Sequence, residues 1–180
     1  MAITTRRAGP ADASALHDLA ARTFGLATPP GTLQSDIDAF ISQHLSPDSF
    51  ERYLADPARI LLVAEEADGK PHGYAMLVGG TITDPDLAAT VAGAGEGASI
   101  ELSKFYVAAD SHGTGVASTL MTATLAAAAE TGAAICWLGV NQRNVRAAKF
   151  YAKHGFEIVG TKRFLVGEVW HDDHVRARRL

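Results

Sequence analysis

The sequence predicts an α/β (α+β) domain, with helices flanking a mixed, mostly antiparallel twisted sheet of about seven strands. Three observations carry this prediction. Short apolar runs bounded by turn residues recur from residue 60 onward. Two of them, about 60–64 and 73–78, are joined through Asp68-Gly69 as a hairpin, so the sheet is not wholly parallel. Segments with helical spacing stand before and between the runs.

Residues 2–7 read as an opening strand. Gly9-Pro10 fits an N-cap followed by proline at the first helical position. Leu16, Leu19, Ala20, Thr23 and Phe24 then recur at helical spacing, which predicts a helix over about 10–24. Gly25 to Gly31, with Pro29-Pro30, breaks it. A second helix at about 32–45 carries Leu33, Ile37, Phe40, Ile41 and Leu45 on one stripe. Ser46-Pro47 caps and opens a third, reaching about Leu54. After the hairpin, residues 80–98 hold Gly80, Asp84-Pro85, Gly93, Gly95 and Gly97. They read as a mobile glycine-rich loop with one helical turn after Pro85, either a disordered insertion or a lid. A strand over 100–107, a turn at 110–114 and a helix over about 115–131 follow, the helix pairing Val116 with Leu120 and Met121 with Leu125. Residues 134–140 form a buried strand, and a helix at about 144–153 ends at Gly155, a natural C-cap. Strands at about 156–164 and 168–178 close the chain. No internal repeat or linker interrupts it, so 1–180 reads as one domain.

Composition narrows the function classes. With 47% hydrophobic and 20% charged residues, the chain is not wholesale disordered. Cys136 is its one cysteine, which excludes an internal disulfide and a zinc–cysteine cluster and fits a reducing, cytoplasmic setting. No apolar run reaches about 18 residues, so no membrane span is expected. Asp12, His17 and Asp18 interrupt any signal core, so no export signal is expected either. A net charge of −4 argues against a general nucleic-acid partner. His171-Asp172-Asp173-His174 invites a metal, but strand alternation points His171 and Asp173 one way and Asp172 and His174 the other. No metal is therefore expected.

Two constellations carry chemistry. His112-Gly113-Thr114-Gly115-Val116-Ala117 lies between a strand and a helix. Small residues there let a phosphate approach backbone N–H groups, and the helix N-terminus adds free donors. It is not a P-loop, since no Gly-Lys-Ser/Thr follows. In the second constellation, Asn144, Ala147, Ala148 and Tyr151 share one helix face, presenting an amide, small residues and a phenol together.

With both motifs in view, the chain resembles the GNAT superfamily of N-acetyltransferases. His112-x-x-Gly115-x-Ala117 is similar to its Gln/Arg-x-x-Gly-x-Gly/Ala motif. Asn144, Ala147, Tyr151, Gly155 and Phe156 match its Asn-x-x-Ala-x-x-x-Tyr-x-x-x-Gly-Phe pattern. The ending from Phe164 to Asp173, with the helices between Ile37 and Phe50, further resembles the PaiA-like polyamine acetyltransferase branch. The resemblance implies a GNAT-type acyl-CoA N-acyltransferase fold and acetyl-CoA as co-substrate. It implies that the backbone of Phe105, Tyr106 and Val107 pairs with the pantetheine arm, and that His112, Gly113, Thr114, Gly115, Val116 and Ala117 hold the pyrophosphate. Asn144 and Lys153 are further expected cofactor contacts, and Tyr151 is expected beside the thioester sulfur. Where the family has glutamine or arginine this chain has His112. An ordinary histidine is mostly neutral at pH 7, so the anion contacts expected here are backbone ones.

Charge distribution suits that placement. Residues 141–163 contain Arg143, Arg146, Lys149, Lys153, Lys162 and Arg163 against Glu157, a net of +5. Residues 80–101 contain four acids and no base, and residues 1–56 contain four bases and seven acids. The expectation is an anionic cofactor on the basic side and a small cationic, polyamine-like acceptor on the acidic side. The amine attacks the thioester directly, with Tyr151 protonating the sulfur and Glu101 as candidate base. Ser103 is placed to help order a water. Cys136, between Ile135 and Trp137, reads as a buried structural residue rather than an acetyl carrier. Peptide and aminoglycoside acceptors stay open, as do a non-catalytic acyl-CoA sensor and an interaction domain built on the 80–98 loop. Homodimerisation through Phe164 to Trp170 is an analogy with relatives.

Overall fold

The computed structural model describes residues 2–180. They form seven strands and six α-helices. In chain order these are β1 (Thr4–Arg7), α1 (Ala13–Ala27), α2 (Gln34–His44), α3 (Pro47–Ala55), β2 (Arg59–Glu65), β3 (Pro71–Val78) and α4 (Pro85–Ala92). Then come β4 (Ser99–Val107), α5 (Val116–Glu130), β5 (Ile135–Asn141), α6 (Val145–Lys153), β6 (Glu157–Val166) and β7 (Val169–Arg179). The sheet order is β1-β2-β3-β4-β5-β7-β6. Every neighbouring pair is antiparallel except β4 and β5.

Strand alternation sends side chains to two faces, and each face has its own core. On one, α5 and α6 cover Leu62, Ala75, Leu77, Ile100, Leu102, Cys136, Leu138 and Val140. On the other, α1, α2 and α3 pack Leu16, Leu19, Phe24, Ile37 and Phe50 over Leu61, Tyr74 and Met76. Burying apolar area of this kind is the main favourable term in folding, roughly 25 cal/mol per Å².

The first helix begins with a separate 3₁₀ turn at Pro10–Asp12. Asp12 accepts from the Gly9 N–H at 2.7 Å and pairs with Arg6, which also binds Glu65, and so ties the turn to β2. Ser46 caps α3 by accepting from Ser49 N–H at 3.1 Å.

Residues 80–98 hold more regular structure than the one helical turn expected after Pro85. Eight of them form α4, capped by Asp84, whose carboxylate accepts from the N–H groups of Asp86 and Leu87. Val91 is buried against Ile135, Trp137, Val175 and Ala177, so α4 closes the end of β5 and β7 on the face opposite α5. The glycines that suggested mobility lie just after it. Gly95 and Gly97 have positive φ and let the chain turn into β4.

Candidate active site

The site begins where two strands part. β4 and β5 pair only at Ser99–Ile135, Ile100–Cys136 and Glu101–Trp137. Beyond Glu101, β4 stays paired with β3 alone, so its other edge is open as far as Val107. Ala108 N–H bonds the His72 carbonyl at 2.8 Å. By antiparallel alternation, the peptide groups of Phe105 and Val107 therefore turn away from β3 into the gap.

A bulge shapes the same strand. Met76 pairs with Lys104, but Leu77 pairs with Leu102, which leaves Ser103 as the extra residue. Glu101 is followed by Leu102 in the α5-side core, and Lys104 reaches the Tyr53 ring of α3 on the opposite face. Without the extra residue, positions 101 and 104 would lie on opposite faces. With it, Glu101 and Lys104 share the α1–α3 face.

The turn after β4 leaves several backbone donors free. Gly113 and Gly115 have φ of 81° and 92°, and an added Cβ at either would meet nothing, so their backbones are bare. Gly115 is the N-cap of α5, and the N–H groups of Val116 and Ala117 have no carbonyl within the helix to bond. Thr114 turns inward, donating to the Ser111 carbonyl at 2.7 Å. A buried brace fixes the loop from behind, where His72 Nδ1 meets Ser111 Oγ at 2.7 Å.

His112 bridges the end of β4 to α6. A guanidinium can only donate, so His112 Nδ1 accepts from Arg146 Nη1 at 2.9 Å. Its Nε2–H then donates to the Val107 carbonyl at 3.1 Å. This holds Arg146, from α6, beside the turn and supplies the cation that the sequence motif lacks.

Asn144 caps α6, its Oδ1 accepting from Ala147 N–H at 3.1 Å. That leaves its side-chain N–H groups for a ligand. Seven residues on, Tyr151 is buried against Phe105 and Phe156 at ring distances of 6.3 and 5.9 Å. Burial raises its phenol above the ordinary range, so it keeps its proton at neutral pH. Lys153 sits exposed on the last turn of α6, away from this group, and lines neither cavity described below.

The β4 edge, Asn144 and Tyr151 converge on one cavity of about 210 Å³. Glu101 to Tyr106, Asn144 and Tyr151 line it from the β4–α6 side; Phe24 and Phe40 close it from α1 and α2. A second cavity of about 260 Å³ lies toward the loop before α4 and shares Glu101 and Lys162 with the first. Glu101 thus stands where the two meet.

Sequence reasoning missed Lys104, Lys162 and Asp173, all of which line the first cavity. It also misplaced the acids. None of the seven in residues 1–56 lines either cavity; they sit on outer helix faces or pair with Arg6 and Arg59. The cavity holds two lysines beside its two carboxylates, so it is not simply acidic. Lys104 is almost wholly enclosed, which lowers it to about 8 despite the nearby Glu101 carboxylate. Cys136 is fully buried and its thiol is pushed up to about 12, which keeps it an inert thiol. Among the described residues, no group of three His, Cys, Asp or Glu side chains is arranged to hold a metal.

An open strand edge and a buried phenol meet at one cavity, with a turn of unpaired amides just beyond the end of that strand. Comparison with known proteins makes that specific. The model of the acetyltransferase (GNAT) family matches residues 16–156. An uncharacterized N-acetyltransferase of Mycobacterium tuberculosis is 44% identical over 169 residues, covering 94% of this chain and 98% of the relative. A Mycobacterium bovis protein of the same description matches equally. Among solved structures, the PaiA N-acetyltransferase of Thermoplasma acidophilum, in complex with coenzyme A, superposes with a TM-score of 0.78 at 18% identity, covering 100% of both chains. An N-acetyltransferase of Staphylococcus aureus gives 0.65 at 22% identity, covering 99% of both chains. The chain belongs to the GNAT acetyltransferase family. Members of that family are N-acetyltransferases with acetyl-CoA as co-substrate.

Proposed function

We propose that this chain transfers the acetyl group of acetyl-CoA to a primary amine of a small acceptor held in the 210 Å³ cavity. One observation carries the reading: the free edge of β4, Tyr151 and Glu101 meet at that cavity, with the anion-ready turn at one end of the edge. The backbone groups of Phe105 would hold the pantetheine arm, the Val107 N–H would face the acetyl carbonyl, and the amides from Gly113 to Ala117 would hold the pyrophosphate, with Arg146 adding charge. Asn144 would bond the arm through its side-chain amide. Lys153, seven residues from Arg146 and on the same face of α6, would add further charge for the carrier's phosphates.

When bound, acetyl-CoA supplies the acetyl group as an activated thioester. Glu101 takes the proton of the acceptor ammonium, directly or through a water ordered by Ser103. The Val107 N–H polarises the acetyl carbonyl. Tyr151 donates a hydrogen bond to the departing sulfur, and the second nitrogen proton, lost from the tetrahedral adduct as the C–S bond breaks, passes to that sulfur to give the free thiol of CoA. A thiol is the stronger acid, with an ordinary pKa of about 8.5, so stabilisation of the thiolate rather than complete proton transfer is the role of this raised phenol.

The test is CoA release from acetyl-CoA by the full chain with a panel of small primary amines. Amine-dependent release with an acetylated product supports the reading. Acetyl-CoA binding with no release on any amine overturns it.

A further inference from the structure

Four charged side chains of both signs line the first cavity: Glu101, Asp173, Lys104 and Lys162. Ordinarily such groups would collapse into ion pairs, because a buried charge without a partner is costly. Here they do not. The ion pairs among the described residues involve other side chains, and none joins these four.

Each lysine is held by its surroundings. The bulge at Ser103 puts Lys104 on the cavity face, where its Nζ lies 5.6 Å from the Tyr53 ring centroid. Lys162 reaches in from β6 across Gly139 of β5, and its Nζ lies 5.7 Å from the Trp137 ring centroid. A Cβ at Gly139 would overlap the Lys162 side chain, so the absence of a side chain there gives the lysine its path. Aromatic faces stabilise both ammonium groups without neutralising them.

The acids also make no ion pair within 4 Å, although Asp173 stands directly opposite Lys162 in the β6–β7 register. Asp173 is 6% exposed, and no hydrogen bond joins its carboxylate to another described residue. Burial raises it, and the facing Lys162 opposes that shift. His171 Nε2, from the same face of β7, is buried without a partner. A polycation entering here would meet two lysines. A molecule with charges of both signs would satisfy all four groups.

We propose that the acceptor is an amine that carries its own oxyanion, such as an amino carboxylate, with the ammonium at Glu101 and Asp173 and the oxyanion between Lys104 and Lys162. This rests on the transfer reading above and names its substrate class. Carboxylate and phosphonate or phosphinate share the required chemistry, so the test includes both.

The experiment measures kcat/KM for CoA release by the full chain at saturating acetyl-CoA. Its acceptors are α-amino carboxylates, their carboxamides, the corresponding aminophosphonates, and spermidine. The expected result is a preference of about tenfold or more for one oxyanion class over the carboxamide. Lys104→Met and Lys162→Met each reduce that ratio toward one, while Lys104→Arg retains most of it. The ratio also falls as pH rises past about 8, where Lys104 loses its charge. A retained melting-temperature rise with acetyl-CoA shows that each variant is folded. Preference for spermidine or the carboxamide, or a preference that survives both methionine variants, overturns the proposal and leaves the transfer reading intact. No release from any acceptor overturns both.

Discussion

The two halves of the proposed active site are built on opposite principles. The cofactor half is mostly backbone: an open strand edge at Phe105–Val107 and bare amides around Gly113 and Gly115. The acceptor half is side chain, with Glu101, Lys104, Lys162 and Asp173 drawn from three strands. Backbone donors suit a ligand that never changes. Side chains suit a ligand that differs between relatives, since each can be replaced without disturbing the sheet. Tyr151 and Glu101 stand at the junction.

The comparison can be broken at that junction first. Glu101→Gln removes the proposed base and is expected to lower kcat about a hundredfold at neutral pH, recovering partly as the pH approaches the acceptor's own pKa. Tyr151→Phe is expected to lower kcat about tenfold at all pH values, because the raised phenol is protonated throughout. Equal losses with one shared pH profile would merge the two roles.

A smaller effect sharpens the cofactor half. Gly115→Leu forces a side chain into φ of 92°, a strain of about 1–2 kcal/mol, in the turn proposed to hold the pyrophosphate. Acetyl-CoA affinity should fall about tenfold by titration calorimetry, with the acceptor preference unchanged. The smallest effect concerns α4. Val91→Ala removes methyl groups at a position only 2% exposed and should cost about 1–2 kcal/mol in a denaturant melt. No loss would return residues 80–98 to the status of a loose loop.

The same division explains what the sequence made legible. The cofactor half is local: a strand, a glycine turn and a capped helix occur in sequence order, so His112–Ala117 and Asn144–Tyr151 could be read directly. The acceptor half depends on register. Position 104 would lie opposite position 101 in a regular strand, and only the bulge at Ser103, set by pairing with Met76 and Leu77, brings Lys104 round. Lys162 enters because Gly139 on a different strand clears its way. Segment charge totals failed for the same reason, since they count residues without their faces. The α4 helix had a legible start in Asp84-Pro85, but four small residues among its last five, Ala88, Ala89, Thr90 and Ala92, gave no apolar stripe, and the glycines beyond it outweighed the cap.

The central claim is that the backbone of β4 and its following turn hold the carrier. Amide hydrogen exchange with and without saturating acetyl-CoA tests it most directly. The account predicts slower exchange at Phe105, Val107, Gly113 and Gly115–Ala117, with little change along β6 and the distal part of β7. Unchanged exchange at those amides while acetyl-CoA is bound would contradict it.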